Sequence, residues 1–182
     1  MKKFLRVLLS LIICFGGCGI HVPETVEEDG GVKRFNSGED APKTIASQKI
    51  IGFKCEFSLV AAVLEEESEL DGRVYKLSAV LENETVNCKI KWYDRFGNGE
   101  NKDYTTDVPF MNKLQEIVAK YDFAKHNGYS YKISGLPDMY GAKLDIEYAS
   151  GESIYAYDNQ HGFISFEAMK ELVDLFDAME KE

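Results

Sequence analysis

Histidine is scarce in this sequence: His21, His126 and His161 are the three, and no two stand at the His-x-x-x-His spacing that places metal ligands on one helix face. A zinc centre needs three or four converging ligands, so metal-dependent catalysis finds no support. The four cysteines include no Cys-x-x-Cys pair, and there is neither a Gly-x-Ser-x-Gly elbow nor a glycine-rich phosphate loop. These absences remove the common signatures of redox, hydrolase and nucleotide chemistry. Basic residues are also in deficit: 21 Lys and Arg against 31 Asp and Glu leave a formal charge of −10. Such a body repels phosphate backbones and acidic headgroups alike, which argues against nucleic acid as a partner and against electrostatic docking on anionic lipid. No metal, no other cofactor and no catalytic residue is expected.

What is present begins with an address. Lys2, Lys3 and Arg6 precede an uncharged apolar run over residues 7–15 that is too short for a permanent membrane span. Phe15-Gly16-Gly17-Cys18 then sets two small residues before a cysteine, an arrangement that resembles the lipobox of bacterial lipoproteins, although Phe15 stands where that family usually has an aliphatic residue. The resemblance implies that residues 1–17 are a signal peptide and that Cys18 is lipidated. It also implies an extracytoplasmic location, anchored to a bacterial membrane. Several acyl chains would supply the affinity that charge cannot. Residues 18–43 carry Pro23, Pro42, Gly30-Gly31 and scattered acids with no sustained apolar period. They are expected to be a flexible tether, the alternative being an arm docked through Val32 and Phe35.

The folded part is expected over residues 44–182, one globular and monomeric domain. Phe53, Cys55, Phe57, Leu59 and Ala61 alternate with more polar neighbours, which predicts a strand with one buried face. Residues 73–81 and 86–94 predict a hairpin around Asn83-Glu84. A two-residue loop sets Leu81 opposite Val86, Ala79 opposite Cys88, Leu77 opposite Ile90 and Tyr75 opposite Trp92, so every inner pair is apolar or aromatic. Residues 96–106 read as a polar loop. Phe110, Met111, Leu114, Ile117, Val118 and Tyr121 then form a helical face, with Asp107 as N-cap and Asn127-Gly128 as the stop. In a second hairpin a two-residue Ser150-Gly151 loop places Ile146 opposite Tyr155 and Leu144 opposite Tyr157. Ser165 caps a last helix with Met169, Leu172, Val173, Phe176 and Met179 on one stripe. The fold class expected is α+β: an antiparallel sheet of about five strands, in the order β-β-β-α-β-β-α, with two helices on one face, two layers in all.

Over residues 118–176 a second resemblance can be stated. Tyr121-Asp122-Phe123, His126-Asn127-Gly128-Tyr129 and the run from Leu144-Asp145-Ile146-Glu147-Tyr148 to Gly151-Glu152-Ser153-Ile154, followed by an amphipathic helix, look like a group of uncharacterised bacterial lipoproteins. The likeness implies fold and location and carries no activity.

Candidate residues come from four places. Asp158 and His161 form an acid and base pair on paper, but no nucleophile is brought to them, and a polar loop explains them better. Asp94-Arg95-Phe96-Gly97-Asn98-Gly99 has part of a calcium loop, yet Phe96 and Thr105 fill positions that need oxygen ligands, so a turn is expected. Cys55 and Cys88 can bridge only if their strands are neighbours. In a three-strand meander they lie two spacings apart, roughly 9 to 10 Å, beyond the bridging limit. Lys76 opposite Lys91, with Lys89 adjacent, makes a small basic patch for an acidic peptide or glycan unless Glu56 neutralises it. Tyr129, Tyr131, Tyr140, Tyr155 and Tyr157, with His161, could line a recognition surface, the alternative being ordinary half-buried packing.

The function expected is a non-catalytic binding or interaction module tethered to a membrane through Cys18. A structural, envelope-maintenance lipoprotein is the alternative, and a small hydrolase is the third reading. Substituting Cys18→Ala should release the protein from the membrane fraction and abolish metabolic labelling with a fatty acid. Retention of both in the variant would contradict the lipobox.

Overall fold

The computed structural model describes residues 33–38, 40–59, 70–94, 96–136 and 140–178. The leader, Cys18 and Val32 lie outside the described residues, as do Ala61 and Met179. The elements, in chain order, are β1 (Lys33–Ser37), β2 (Ile50–Ser58), β3 (Val74–Glu82), β4 (Thr85–Tyr93), β5 (Gly99–Asp107), α1 (Val108–Lys120), a 3-10 turn (Phe123–His126), β6 (Tyr129–Ile133), β7 (Ala142–Tyr148), β8 (Ser153–Asp158) and α2 (Phe166–Ala178). No helix among the described residues is long and apolar enough to cross a membrane.

The strands form one sheet in the order β1-β6-β8-β7-β2-β3-β4-β5. This corrects the expectation of about five antiparallel strands: eight are present among the described residues, and the sheet is mixed, since β6 runs parallel to β8. The α+β character and the covering of one face by two helices hold. The extra strands escaped notice for physical reasons. β5 replaces the expected loop over 96–106 as an edge strand that pairs only with β4. An edge need not bury an alternating apolar set, and acids and lysines on it discourage further pairing. β1 lies inside the segment read as a tether and pairs antiparallel with β6 from Lys33 to Ser37, so the sheet takes in the chain before Thr44. That pairing spans about a hundred residues, which local patterning does not register.

The first hairpin adopts the expected register, with Tyr75 opposite Trp92, Leu77 opposite Ile90, Ala79 opposite Cys88 and Leu81 opposite Val86. Asn83 and Glu84 both have positive φ, 49° and 73°, as a type I′ turn requires, so Glu84 bears a conformation that glycine would take more easily. The second hairpin differs by one residue. Ile146 faces Ile154, Asp145 faces Tyr155 and Leu144 faces Ala156. Its loop is longer than expected: the Tyr148 amide bonds to the Glu152 carbonyl, and Gly151 has φ +85°. A three-residue turn with glycine in the left-handed position accounts for the shift. Side chains alternate between faces, so the shift sends Ile154, Ala156 and Asp158 inward and Tyr155 and Tyr157 outward.

Both helices cover the inner face. α1 buries Phe110, Met111, Leu114 and Val118, and α2 buries Ala168, Met169, Leu172, Val173, Leu175 and Phe176. Phe176 lies where the layers meet, its ring 6.4 Å from Phe53 of β2 and 5.1 Å edge-on from Phe110 of α1. Its carbonyl accepts the Tyr104 hydroxyl at 2.7 Å, which ties edge strand β5 to α2. Glu171 of α2 receives Lys120 and the Tyr121 hydroxyl from the end of α1. Ser165 caps α2 as expected, accepting the Ala168 amide at 3.3 Å. Asp107 stands at the N-cap of α1 but makes no side-chain capping bond there. The expected stop of α1 at Asn127-Gly128 is corrected: Asp122, with φ +49°, breaks the α-helix first, and the 3-10 turn carries the chain on to Asn127.

Cys55 and Cys88 are free and buried, with β3 between their strands, the meander arrangement in which no bridge is expected. Burial pushes the Cys88 thiol up to about 12 and raises that of Cys55 further. Neither is suited to thiolate chemistry.

Phe176→Ala should destabilise the domain by about 3 to 5 kcal/mol, because it empties the junction of both helices with the sheet. Lys89→Ala should change stability by less than about 0.5 kcal/mol, since its pair with Asp103 is exposed. Urea denaturation of the two variants measures the contrast.

Candidate functional site

With α1 and α2 on one side, the other face of the sheet is left uncovered by any helix among the described residues. Along it the strand registers place Lys91 of β4 beside Lys76 of β3, then Glu56 of β2, Lys143 of β7, Tyr157 of β8 and Ser130 of β6. A cavity of about 500 Å³ opens on this row, and its lining includes Glu56, Ser58, Val74, Lys76, Lys143, Tyr155, Tyr157 and Asp158. Its size falls in the usual range of ligand sites, roughly 300 to 1,000 Å³. Gly141 closes one end, where the chain enters β7: a Cβ on it would stand 1.8 Å from the Asp158 carbonyl oxygen, so only glycine allows the approach.

The electrostatics of the cleft are uneven. Lys76 Nζ lies 2.6 Å from Glu56 Oε2, so Glu56 does neutralise that lysine. Lys143, on the other side of Glu56, has no acidic partner among the described residues. Tyr155 is 44 % exposed, a large aromatic surface held in solvent. Of the other basic candidates, Lys89 pairs with Asp103 at 3.3 Å and Lys91 lies 5.1 Å over the ring of Tyr93. Both share the open face but stand outside the cleft.

Of the remaining candidates, Asp158 borders the cleft and the others lie away from it. Tyr129 and Tyr131 belong to β6 and Tyr140 lies exposed before β7. Asp158 is 1 % exposed and serves as a turn anchor. Its Oδ1 accepts the amides of Gln160 and His161, both at 2.8 Å, and its Oδ2 accepts the Tyr129 hydroxyl at 2.7 Å. His161 Nδ1 lies 3.5 Å from that oxygen, and its ring meets the edge of Tyr131. No serine or cysteine bonds to His161 among the described residues, so the pair has no nucleophile to activate. Asp94 likewise makes a turn, accepting the amides of Phe96 and Asn98 and the Asn98 side chain, and these bonds, the last foremost, hold its carboxyl below the ordinary range. No group of three or more His, Cys, Asp or Glu side chains suited to a metal occurs among the described residues.

Buried amides position the tyrosine pair. Asn127 accepts the Tyr155 amide at 2.9 Å and donates to the carbonyls of Ser153 and Pro42. Asn159 exchanges two 2.9 Å bonds with the backbone of Ile133, clasping the end of β6 to the turn after β8. Reasoning from sequence missed Lys143 and Ser58 as parts of a site. Their outward phase was readable in the strand pattern, but the adjacency of β2 with β7 was not.

Compared with models of known protein families, with curated proteins and with solved structures, the chain matches none.

The buried phenols and thiols make stability depend on alkaline pH. Burial holds Tyr148 and Cys88 up to about 12, and it is the main cause that raises Tyr75 and Tyr129 as well. The unfolded chain releases these protons near 9.0 for a thiol and 10.0 for a phenol, so the folded state binds more protons above that range. Stability should therefore be level from neutrality to about pH 9 and fall between about pH 9 and 12. Tyr148→Phe should make the fall shallower. Thermal unfolding followed by circular dichroism across that range checks both.

Proposed function

We propose that this protein is a lipid-anchored, extracytoplasmic binding module that presents the open face of its sheet to a ligand outside the cytoplasm. The lipobox at Cys18 and the resemblance over residues 118–176 support the location. The cleft supports the activity: it joins Tyr155 and Tyr157 to charged side chains in a site of ligand size, and no metal cluster occurs among the described residues. Aromatic area with a polar tip, beside a few placed charges, is the composition of recognition surfaces. No enzymatic step is assigned.

Hydroxyl-radical footprinting of the full chain tests this without knowing the ligand. Tyr155 should label strongly in purified protein and weakly in intact cell envelopes, where the partner is present. Phe96, 73 % exposed and not part of the cleft lining, should label alike in both. Equal labelling of Tyr155 in both preparations would overturn the reading and favour a purely structural lipoprotein.

A further inference from the structure

The cleft lies in the middle of the sheet, and this restricts what it can hold. β3, β2, β7 and β8 each have a strand on both sides, so their amides and carbonyls are engaged in ladders. Even at Tyr155, beyond the short β6 pairing, the amide bonds to Asn127 Oδ1 and the carbonyl accepts the Gly128 amide. An extended peptide gains affinity chiefly from main-chain bonds to an open edge, and none is offered here. Recognition must come from side chains. Tyr155 and Tyr157 are two positions apart on one face, roughly 7 Å, and supply ring surface with hydroxyl tips. The Lys76–Glu56 pair supplies donors and acceptors together, and Lys143 supplies a positive charge without an acidic partner among the described residues. Ring faces to stack on, mixed donors and acceptors for hydroxyls, and one uncompensated ammonium match a sugar that carries a carboxylate. From this, and resting on the binding-module reading, we infer that the cleft takes a short carboxylated oligosaccharide, with Lys143 holding the carboxylate and Tyr155 and Tyr157 stacking the rings. The acidic body, net −10, favours a short ligand with few charges over a long polyanion.

Isothermal titration of the full chain in detergent, with trigalacturonate as probe, galactotriose as its neutral counterpart and triglutamate as an acidic peptide, tests the assignment. Trigalacturonate should bind saturably, and Lys143→Ala should weaken it about tenfold, the effect of losing one charge-assisted contact. Lys143→Arg should restore most of the affinity, and Tyr155→Ala should abolish binding at an unchanged melting temperature. Equal affinity for galactotriose, or indifference to Lys143→Ala, would overturn the carboxylate while leaving a sugar-binding module. Binding of triglutamate alone, lost with Tyr155→Ala, would overturn the sugar and leave the module. Binding of none of the three would overturn the inference, and only footprinting without protection of Tyr155 would remove the module with it.

Discussion

One-sided burial of the sheet is the constraint from which the architecture and the candidate site both descend. α1 and α2 lie side by side on the inner face, joined to it through Phe176, Phe53 and Phe110, and among the described residues no helix covers the outer face. Because side chains alternate along a strand, every residue is then assigned to core or open face by the parity of its register. Parity matters most in the β7–β8 hairpin. Its three-residue turn, closed by Gly151, turns Ile154 and Ala156 into the core and sends Tyr155 and Tyr157 to the open side. A loop shorter by one residue would bury the tyrosines and expose the aliphatic pair, with loss of both core and cleft.

The far side of the sheet depends on polar burial. β6 joins β8 in parallel over only Ser130 and Tyr131, a short ladder for a parallel pair. Asn159, Asn127 and Asp158 add side-chain bonds that stand in for ladder bonds, and all three are buried. Removing Asn159 would strand the buried amide and carbonyl of Ile133 without partners, which costs more than the bonds themselves contribute. The same bonds fix β8, so the tyrosine pair sits on a strand held at both ends. This is a frame suited to a preorganised surface.

Charge placement sets the open face apart from the rest of the molecule. The chain as a whole is strongly acidic, yet the row through Lys91, Lys76, Glu56 and Lys143 holds three lysines to one acid. Neutralisation of Lys76 by Glu56 leaves the local excess on Lys143, beside Tyr157, and on Lys91, over the Tyr93 ring. A positive point in a negative field selects by local contact and gains little from long-range steering.

The sequence by itself determined the first hairpin and its turn, the apolar faces of both helices, the cap at Ser165 and the burial of Cys55 and Cys88. Each of these rests on periodicity or on neighbours a few residues apart, and such local preferences need no knowledge of the remainder of the chain. It also placed Tyr155, Tyr157 and Lys76 among the candidates, though not together. Tertiary structure alone decided the edge strands β1 and β5, the parallel pairing of β6, the parity of the second hairpin and the meeting of Lys143 with Glu56 and the tyrosines. Edge strands escape the alternation that burial on both sides would impose, and strand adjacency depends on contacts between residues far apart in the chain. Such contacts form only once the shared core has brought the strands together.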